Sequence, residues 1–145
     1  MRALLQRVTG ASVTVGDEVV GAIGPGLCAF VGITHDDDVA VAERLARRLW
    51  GLRIFPDDAG LTNRSAADLG LDVLVVSQFT LYADTSRGRR PSFVAAAPPE
   101  QAEHLVQSLV AALQALGAKV ATGRFRASMQ VQLVNDGPFT IWLEA

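Results

Sequence analysis

A proline inside an alternating segment constrains this chain more than any other feature. From Arg124 to Glu144 the sequence reads as one long strand, except that Asn135-Asp136-Gly137-Pro138-Phe139-Thr140 interrupts it. Proline has no backbone N–H to give to a sheet ladder, so within sheets it sits at edges, strand starts or bulges. Before the break, Phe125, Ala127, Met129, Val131 and Leu133 share one parity, and Arg124, Arg126, Ser128, Gln130 and Gln132 share the other, the period-2 pattern of a half-buried strand. Phe139, Ile141 and Leu143 resume the alternation. Two readings stay open. Asn-Asp-Gly-Pro is a turn joining two strands, or the chain bends there to aim the carbonyls of Gly137 and Pro138 at a ligand, in which case a cis X-Pro bond would mark a constrained site.

With 145 residues, half of them hydrophobic, the chain is long enough for one domain with a real core and too short to expect two. Met1 to Arg7 runs straight into strand-like sequence and no apolar run approaches the ~20 residues of a membrane span, so the expectation is a cytoplasmic protein without membrane contact. The single cysteine, Cys28, lies in an apolar run and reads as a buried, inert thiol. A net charge of −2 offers no global attraction for nucleic acid, so any RNA contact has to be local. Two basic clusters stand out. Arg44, Arg47 and Arg48 fall on a predicted helix and read as a solvated face, whereas Arg87, Arg89 and Arg90 lie in a turn-rich stretch that is either a plain charged loop or a site for phosphates.

Strand-like segments run over Arg2 to Thr9, Ala11 to Val15, Glu18 to Ile23 and Leu27 to Ile33, separated by glycine-containing hairpin signals. Asp36-Asp37-Asp38 supplies N-cap candidates and acidic first-turn residues for a helix through Trp50, with Ala42, Leu45, Ala46 and Leu49 as its apolar stripe and Gly51 closing it. Pro98-Pro99-Glu100 opens a second helix whose Leu105, Leu109, Ala112, Leu113 and Leu116 face the core. Between them, Leu52 to Phe55 reads as a short strand and Asp72 to Tyr82 as the strongest strand of the chain, apolar on both faces at Val73 to Val76. The pattern predicts a single α+β domain, with a largely antiparallel, curved or barrel-like sheet and two main helices.

The chemistry is defined first by what is missing. The two histidines, His35 and His104, have no partners at metal-ligand spacing, and no Gly-x-Ser-x-Gly elbow or phosphate-cradling glycine loop occurs. No metal site or cofactor is expected, and a histidine base is disfavoured. What remains is the polar end of the central strand, Ser77-Gln78-Phe79-Thr80-Leu81, where alternation puts Ser77 with Phe79 on one face and Gln78 with Thr80 on the other. Hydroxyls satisfied within the sheet are the ordinary reading of such residues.

Taken together, Ser77-Gln78-Phe79-Thr80-Leu81 and Asn135-Asp136-Gly137-Pro138-Phe139-Thr140 closely resemble the D-aminoacyl-tRNA deacylases. The resemblance extends over essentially the whole chain, through Gln6-Arg7-Val8, Arg87-Gly88-Arg89-Arg90-Pro91-Ser92-Phe93, Gly123-Arg124-Phe125 and Met129-Gln130-Val131. Phe139 departs from it, since the family's motif has valine after Gly-Pro; this touches the packing beside the motif, because the working groups there are main-chain carbonyls.

The resemblance implies a homodimer in which Gly137-Pro138, with a cis bond, reaches into the partner subunit's pocket beside Ser77 to Thr80. It implies as substrate the 3'-terminal adenosine of a tRNA bearing a D-amino acid, and as reaction the hydrolysis of the aminoacyl ester in translation quality control. The substrate's own 2'-hydroxyl would assist water while backbone N–H groups near Gln78, Phe79 and Thr80 stabilise the oxyanion. Thr80 as a covalent nucleophile is the competing mechanism, without a neighbouring base in the sequence to activate it. Carbonyls of Gly137 and Pro138 near the amino acid's Cα would exclude an L side chain, and glycine would pass. Phe125 and Met129 would pack near the adenine, and Arg7 would brace the Gly-Pro segment; core packing for the first two and an ordinary surface arginine are the plain readings. Two alternatives are a related aminoacyl-tRNA editing domain acting on an L-amino acid, and a non-catalytic RNA- or nucleotide-binding module.

Overall fold

In the computed structural model, which describes all of residues 1–145, the first strand is the spine of the sheet. β1 (Arg2–Val15) is followed by β2 (Glu18–Ile23) and β3 (Gly26–Gly32), then α1 (Val39–Trp50), β4 (Arg53–Pro56), β5 (Thr62–Ser65), α2 (Ala66–Leu69), β6 (Asp72–Ser77), α3 (Pro99–Ala115), β7 (Lys119–Thr122) and β8 (Gln130–Glu144). A one-turn 3-10 helix, Phe79–Tyr82, follows β6. Sequence patterning divides β1 at Gly10, yet the strand runs on. One edge of β1 is paired by β8 from Arg2 to Thr14, while on the other edge β3 takes Arg2 to Val8 and β2 takes Ala11 to Val15. Glycine costs little extension when a neighbouring strand carries the ladder past it.

The sheet order is β2-β1-β3-β6-β7, with β8 beside β1, and the pairs of β1 are antiparallel. The β3–β6 and β6–β7 pairs are parallel, so the largely antiparallel, barrel-like sheet that the pattern predicts is a mixed one. Parallel neighbours need a long crossover, and the stretches holding α1 and α3 supply it. The barrel nearly closes because Gly21 of β2 lies directly on β7, where a Cβ would collide with the Thr122 carbonyl.

Two apolar clusters explain why Val73 to Val76 are buried throughout. Val73 and Val75 join the large core between sheet and helices, with Leu45, Leu49, Leu109 and Leu113; Leu74 and Val76 point into the barrel with Val8, Val13 and Cys28. In α1 the stripe Ala42, Leu45, Ala46 and Leu49 is fully buried, and Arg44, Arg47 and Arg48 lie on its solvent face. Asp38 caps it by accepting from the Val41 N–H at 2.8 Å. Asp36 and Asp37 precede the helix, leaving no acid in its first turn. In α3 the expected stripe is buried at Leu105, Leu109 and Leu113, but Leu116 is 43% exposed because the helix ends at Ala115.

Three expectations are corrected. The central strand ends at Ser77 rather than Tyr82, so Ser77 to Thr80 do not alternate across a sheet. Arg124 to Met129 is a turn rather than strand, with Arg126 at φ 60. The Gly-Pro segment does not join two strands: β8 is continuous, and the pairing register jumps from Gln6–Thr140 to Val8–Asn135, so that Asp136 to Phe139 bulge out opposite Arg7. A wide bulge of this kind accommodates a proline without an N–H and bends the strand locally. β4 matches the short strand expected over Leu52 to Phe55, whereas β5 and the short α2 carry no sequence pattern long enough to announce them.

Candidate active site

The polar groups emerge where two parallel strands stop together. Ser77 ends β6 opposite Val31 of β3, and the next N–H, that of Gln78, donates to the Val31 carbonyl at 2.7 Å. The chain then winds into the 3-10 turn. Gly32 makes room for it, since a Cβ there would stand 3.0 Å from the Gln78 carbonyl oxygen and 3.1 Å from both Leu81 Cβ and Tyr82 Cδ2. Arg2 anchors the far side of the turn by donating to the Leu81 carbonyl at 3.2 Å, its guanidinium 4.4 Å from the centre of the Tyr82 ring.

Beside this turn opens a cavity of about 680 Å³, lined by 18 residues of which 12 are hydrophobic. Ser77, Gln78 and Phe79 form one wall, and Phe125 and Met129, brought over by the 124–129 turn, form another. Met129 crosses Gly123 so closely that a side chain at 123 would displace its sulfur. Thr80 lies one residue beyond the wall and does not line the cavity. Three lining residues escape the sequence reading. His35 is noted there only for lacking metal partners, Phe93 only within its motif, and Arg126 only as a polar strand position. Phe93 packs edge-on against Phe79, ring centres 5.1 Å apart; an aromatic pair brought together across a loop leaves no periodic trace.

No carboxylate lines the cavity. The Gln78 side-chain amide donates to Thr80 Oγ1, so Gln78 is not placed to take the hydroxyl proton as a base. His35 Nε2 lies 2.8 Å from the Val94 carbonyl oxygen and must donate to it. As the first residues of a 3-10 turn, Phe79 and Thr80 have N–H groups without an acceptor inside the turn. The Gln78 N–H is engaged by the Val31 carbonyl and is not free for a ligand. Cys28 is outside the cavity, its thiol pushed up to about 12 by burial. No group of three or more His, Cys, Asp or Glu side chains is placed to hold a metal. The cavity can therefore enclose a flat apolar ligand, with His35 and Arg126 as the only charged or titratable side chains on its wall.

Arg7, Gly137 and Pro138 form a second cluster, which does not line this cavity of the same chain. Arg7 is 9% exposed. It donates to the Ile54 carbonyl at 2.6 Å, the Asp136 carbonyl at 3.2 Å and the Gly137 carbonyl at 3.3 Å, and pairs with the Asp136 carboxylate at 2.8 Å. Its guanidinium sits 4.4 Å from the Phe139 ring centre. The Asn135 amide closes the base of the bulge, donating to the Arg7 carbonyl at 2.9 Å and the Phe139 carbonyl at 3.0 Å. The Gly137–Pro138 bond is cis, and both residues are exposed.

Comparison with known proteins gives a consistent result. The family described as D-Tyr-tRNA(Tyr) deacylase matches residues 4–144. A D-aminoacyl-tRNA deacylase of Mycobacterium avium is 61% identical over 99% of both chains, and one of Thermomicrobium roseum is 57% identical over 100% of this chain and 94% of its own length. A solved structure named c-Myc DNA Unwinding Element Binding Protein superposes with a TM-score of 0.93 at 42% identity, covering 100% of this chain and 99% of the other. Another, a probable eukaryotic D-amino acid tRNA deacylase, shares the fold with a TM-score of 0.87 at 17% identity, over 99% and 98% of the two chains.

Proposed function

This chain belongs to the D-aminoacyl-tRNA deacylase family and is a hydrolase of the aminoacyl-tRNA ester; from that premise we propose how its residues divide the work. The observation that carries the reading is a cavity with aromatic walls and two unengaged N–H groups at its edge, but no carboxylate to activate water. Adenosine lies between Phe125 and Met129, which places the ester beside Ser77 to Thr80. The 2'-hydroxyl of the terminal ribose orients and helps deprotonate the attacking water. The new C–O bond forms at the ester carbonyl, and the N–H groups of Phe79 and Thr80 receive the developing oxyanion. Collapse breaks the bond to the ribose 3'-oxygen, which takes up a proton, releasing the amino acid and free tRNA. Thr80 is a positioning residue held by Gln78 rather than a nucleophile.

Selection for the D configuration comes from a second copy of the chain. Gly137 and Pro138 of one subunit enter the other's cavity, and their carbonyls occupy the space an L side chain would need. Glycine passes. What supports a trans arrangement is that the segment is exposed, braced from behind by Arg7 and absent from its own chain's cavity. The setting is the cytoplasm, and no helix is long and apolar enough to cross a membrane.

Turnover of D-aminoacyl-, L-aminoacyl- and glycyl-tRNA, and of a D-aminoacyl-tRNA ending in 2'-deoxyadenosine, tests each part. The expected result is hydrolysis of the D and glycyl esters, sparing of the L ester, and loss of roughly 100-fold or more in kcat without the 2'-hydroxyl. Undiminished turnover of the deoxy substrate together with an inactive Thr80→Ala enzyme would assign catalysis to Thr80 instead.

A further inference from the structure

Five of the chain's twelve arginines are neutralised. Arg2, Arg7, Arg47, Arg64 and Arg124 each lie within 4 Å of a carboxylate, and the chain carries more acids than bases. Arg126 is different: it lines the active-site cavity, is exposed, and meets no carboxylate there. Its backbone stands at φ 60, the only non-glycine residue with positive φ in the chain. A long side chain is strained in that region, and such strain gathers at working sites.

A second group of free cations adjoins the same cavity. The Asp84–Ser92 backbone pair, with N–H···O contacts of 2.8 and 2.9 Å, closes a loop that carries Arg87, Arg89 and Arg90, all exposed and without an ion pair. Gly88 turns the loop tip at φ 72. Directly after the closing pair comes Phe93, which lines the cavity and packs on Phe79. The loop is thus fastened through Phe93 to the wall of the cavity.

On the reading that the cavity holds the 3'-terminal adenosine of tRNA, we propose that Arg126 and the Arg87–Arg90 loop bind the backbone phosphates of the single-stranded 3' end. Arg126 takes the phosphate that enters with the terminal adenosine, and the loop takes those before it. Guanidinium forks suit phosphate oxygens. This also reconciles a net charge of −2 with an RNA substrate, because attraction is confined to one rim.

The test is equilibrium binding of a short uncharged RNA ending in CCA, against free adenosine, over a range of salt. The variants are Arg126→Gly, Arg126→Lys and the combined Arg87→Ala, Arg89→Ala, Arg90→Ala. Glycine suits φ 60, so Arg126→Gly keeps the turn while removing the cation. It is expected to weaken the RNA roughly tenfold at low salt and to flatten the plot of log K against log salt by about 0.7, one phosphate on a single strand. Adenosine affinity should hold, Arg126→Lys should retain the salt slope, and the triple variant should lose further slope. With D-aminoacyl-tRNA the same variants should raise KM and leave kcat in place. Unchanged RNA affinity and slope in Arg126→Gly overturns the proposal, as does equal weakening of RNA and adenosine. Failure of the functional reading has a separate signature, the unaltered protein leaving D-aminoacyl-tRNA intact while the binding readings still stand.

Discussion

Arg7 shows how one side chain can hold a segment that has left the sheet. Its donors engage the Asp136 and Gly137 carbonyls of the bulge and the Ile54 carbonyl of β4, and its guanidinium lies over Phe139. Valine, which the family resemblance leads one to expect at that position, cannot stack on a guanidinium. Cation–π contacts contribute about 0.5–2 kcal/mol depending on desolvation. Phe139→Val is therefore expected to lower stability by about 1–2 kcal/mol, a Tm decrease of roughly 2–8 °C by calorimetry, with deacylation preserved. A neighbouring position separates packing from function. A Cβ on Gly137 meets nothing within 4 Å in its own chain, and the residue does not have positive φ. Gly137→Ala should therefore unfold at the original temperature yet lose at least about tenfold in kcat/KM, or ~1.4 kcal/mol of barrier, because the methyl intrudes where the substrate sits. Unchanged turnover would show that the segment stays out of the site.

At the scale of elements, the site depends on how the β6 ladder ends. Gly32 lets the 3-10 turn lie flat on the end of β3, with contacts at 3.0–3.1 Å awaiting any added Cβ. Gly32→Ala pushes the turn outward by a few tenths of an ångström and moves the N–H groups of Phe79 and Thr80 with it. Overpacking of this kind costs about 1–3 kcal/mol. Donors used only in the transition state should show the shift as a kcat loss of roughly ten- to a hundredfold with KM nearly unchanged; a rise in KM alone would place these groups in ground-state binding. The same element marks what sequence patterning can express. Val73 to Val76 announce a strand buried on both faces because each alternate residue enters a different core. The turn after Ser77 is set by a bare glycine in a distant strand, and apolar Phe79 and Leu81 prolong the alternation past the true end. Phe125 and Met129 were legible as residues sharing a face, which a turn satisfies as well as a strand. The bulge was legible as a proline in the wrong place, but its depth is set by Arg7 and Asn135.

The whole molecule leaves its two functional clusters apart. Ser77, Gln78 and Phe79 line a cavity that Gly137 and Pro138 of the same chain do not enter, although β8 carries that pair outward on a braced, exposed bulge. If the active unit is a two-fold dimer, each cavity is completed by the other subunit's bulge, and the two sites can be dissected by mixing defects. A subunit bearing Gly32→Ala has a misplaced turn but an intact bulge. One bearing Gly137→Ala has the reverse. In the mixed dimer, one cavity combines both faults and the other combines none. Differently tagged subunits, refolded together and purified through both tags, should therefore regain about half the kcat/KM of the unaltered dimer on D-aminoacyl-tRNA, although each parent dimer falls about tenfold or more. Were the bulge to act within its own chain, every site in the mixed dimer would carry one fault and no activity would return. The comparison is insensitive to modest losses of stability, since both parents contribute equally to the mixture, and it reads the trans arrangement directly from turnover.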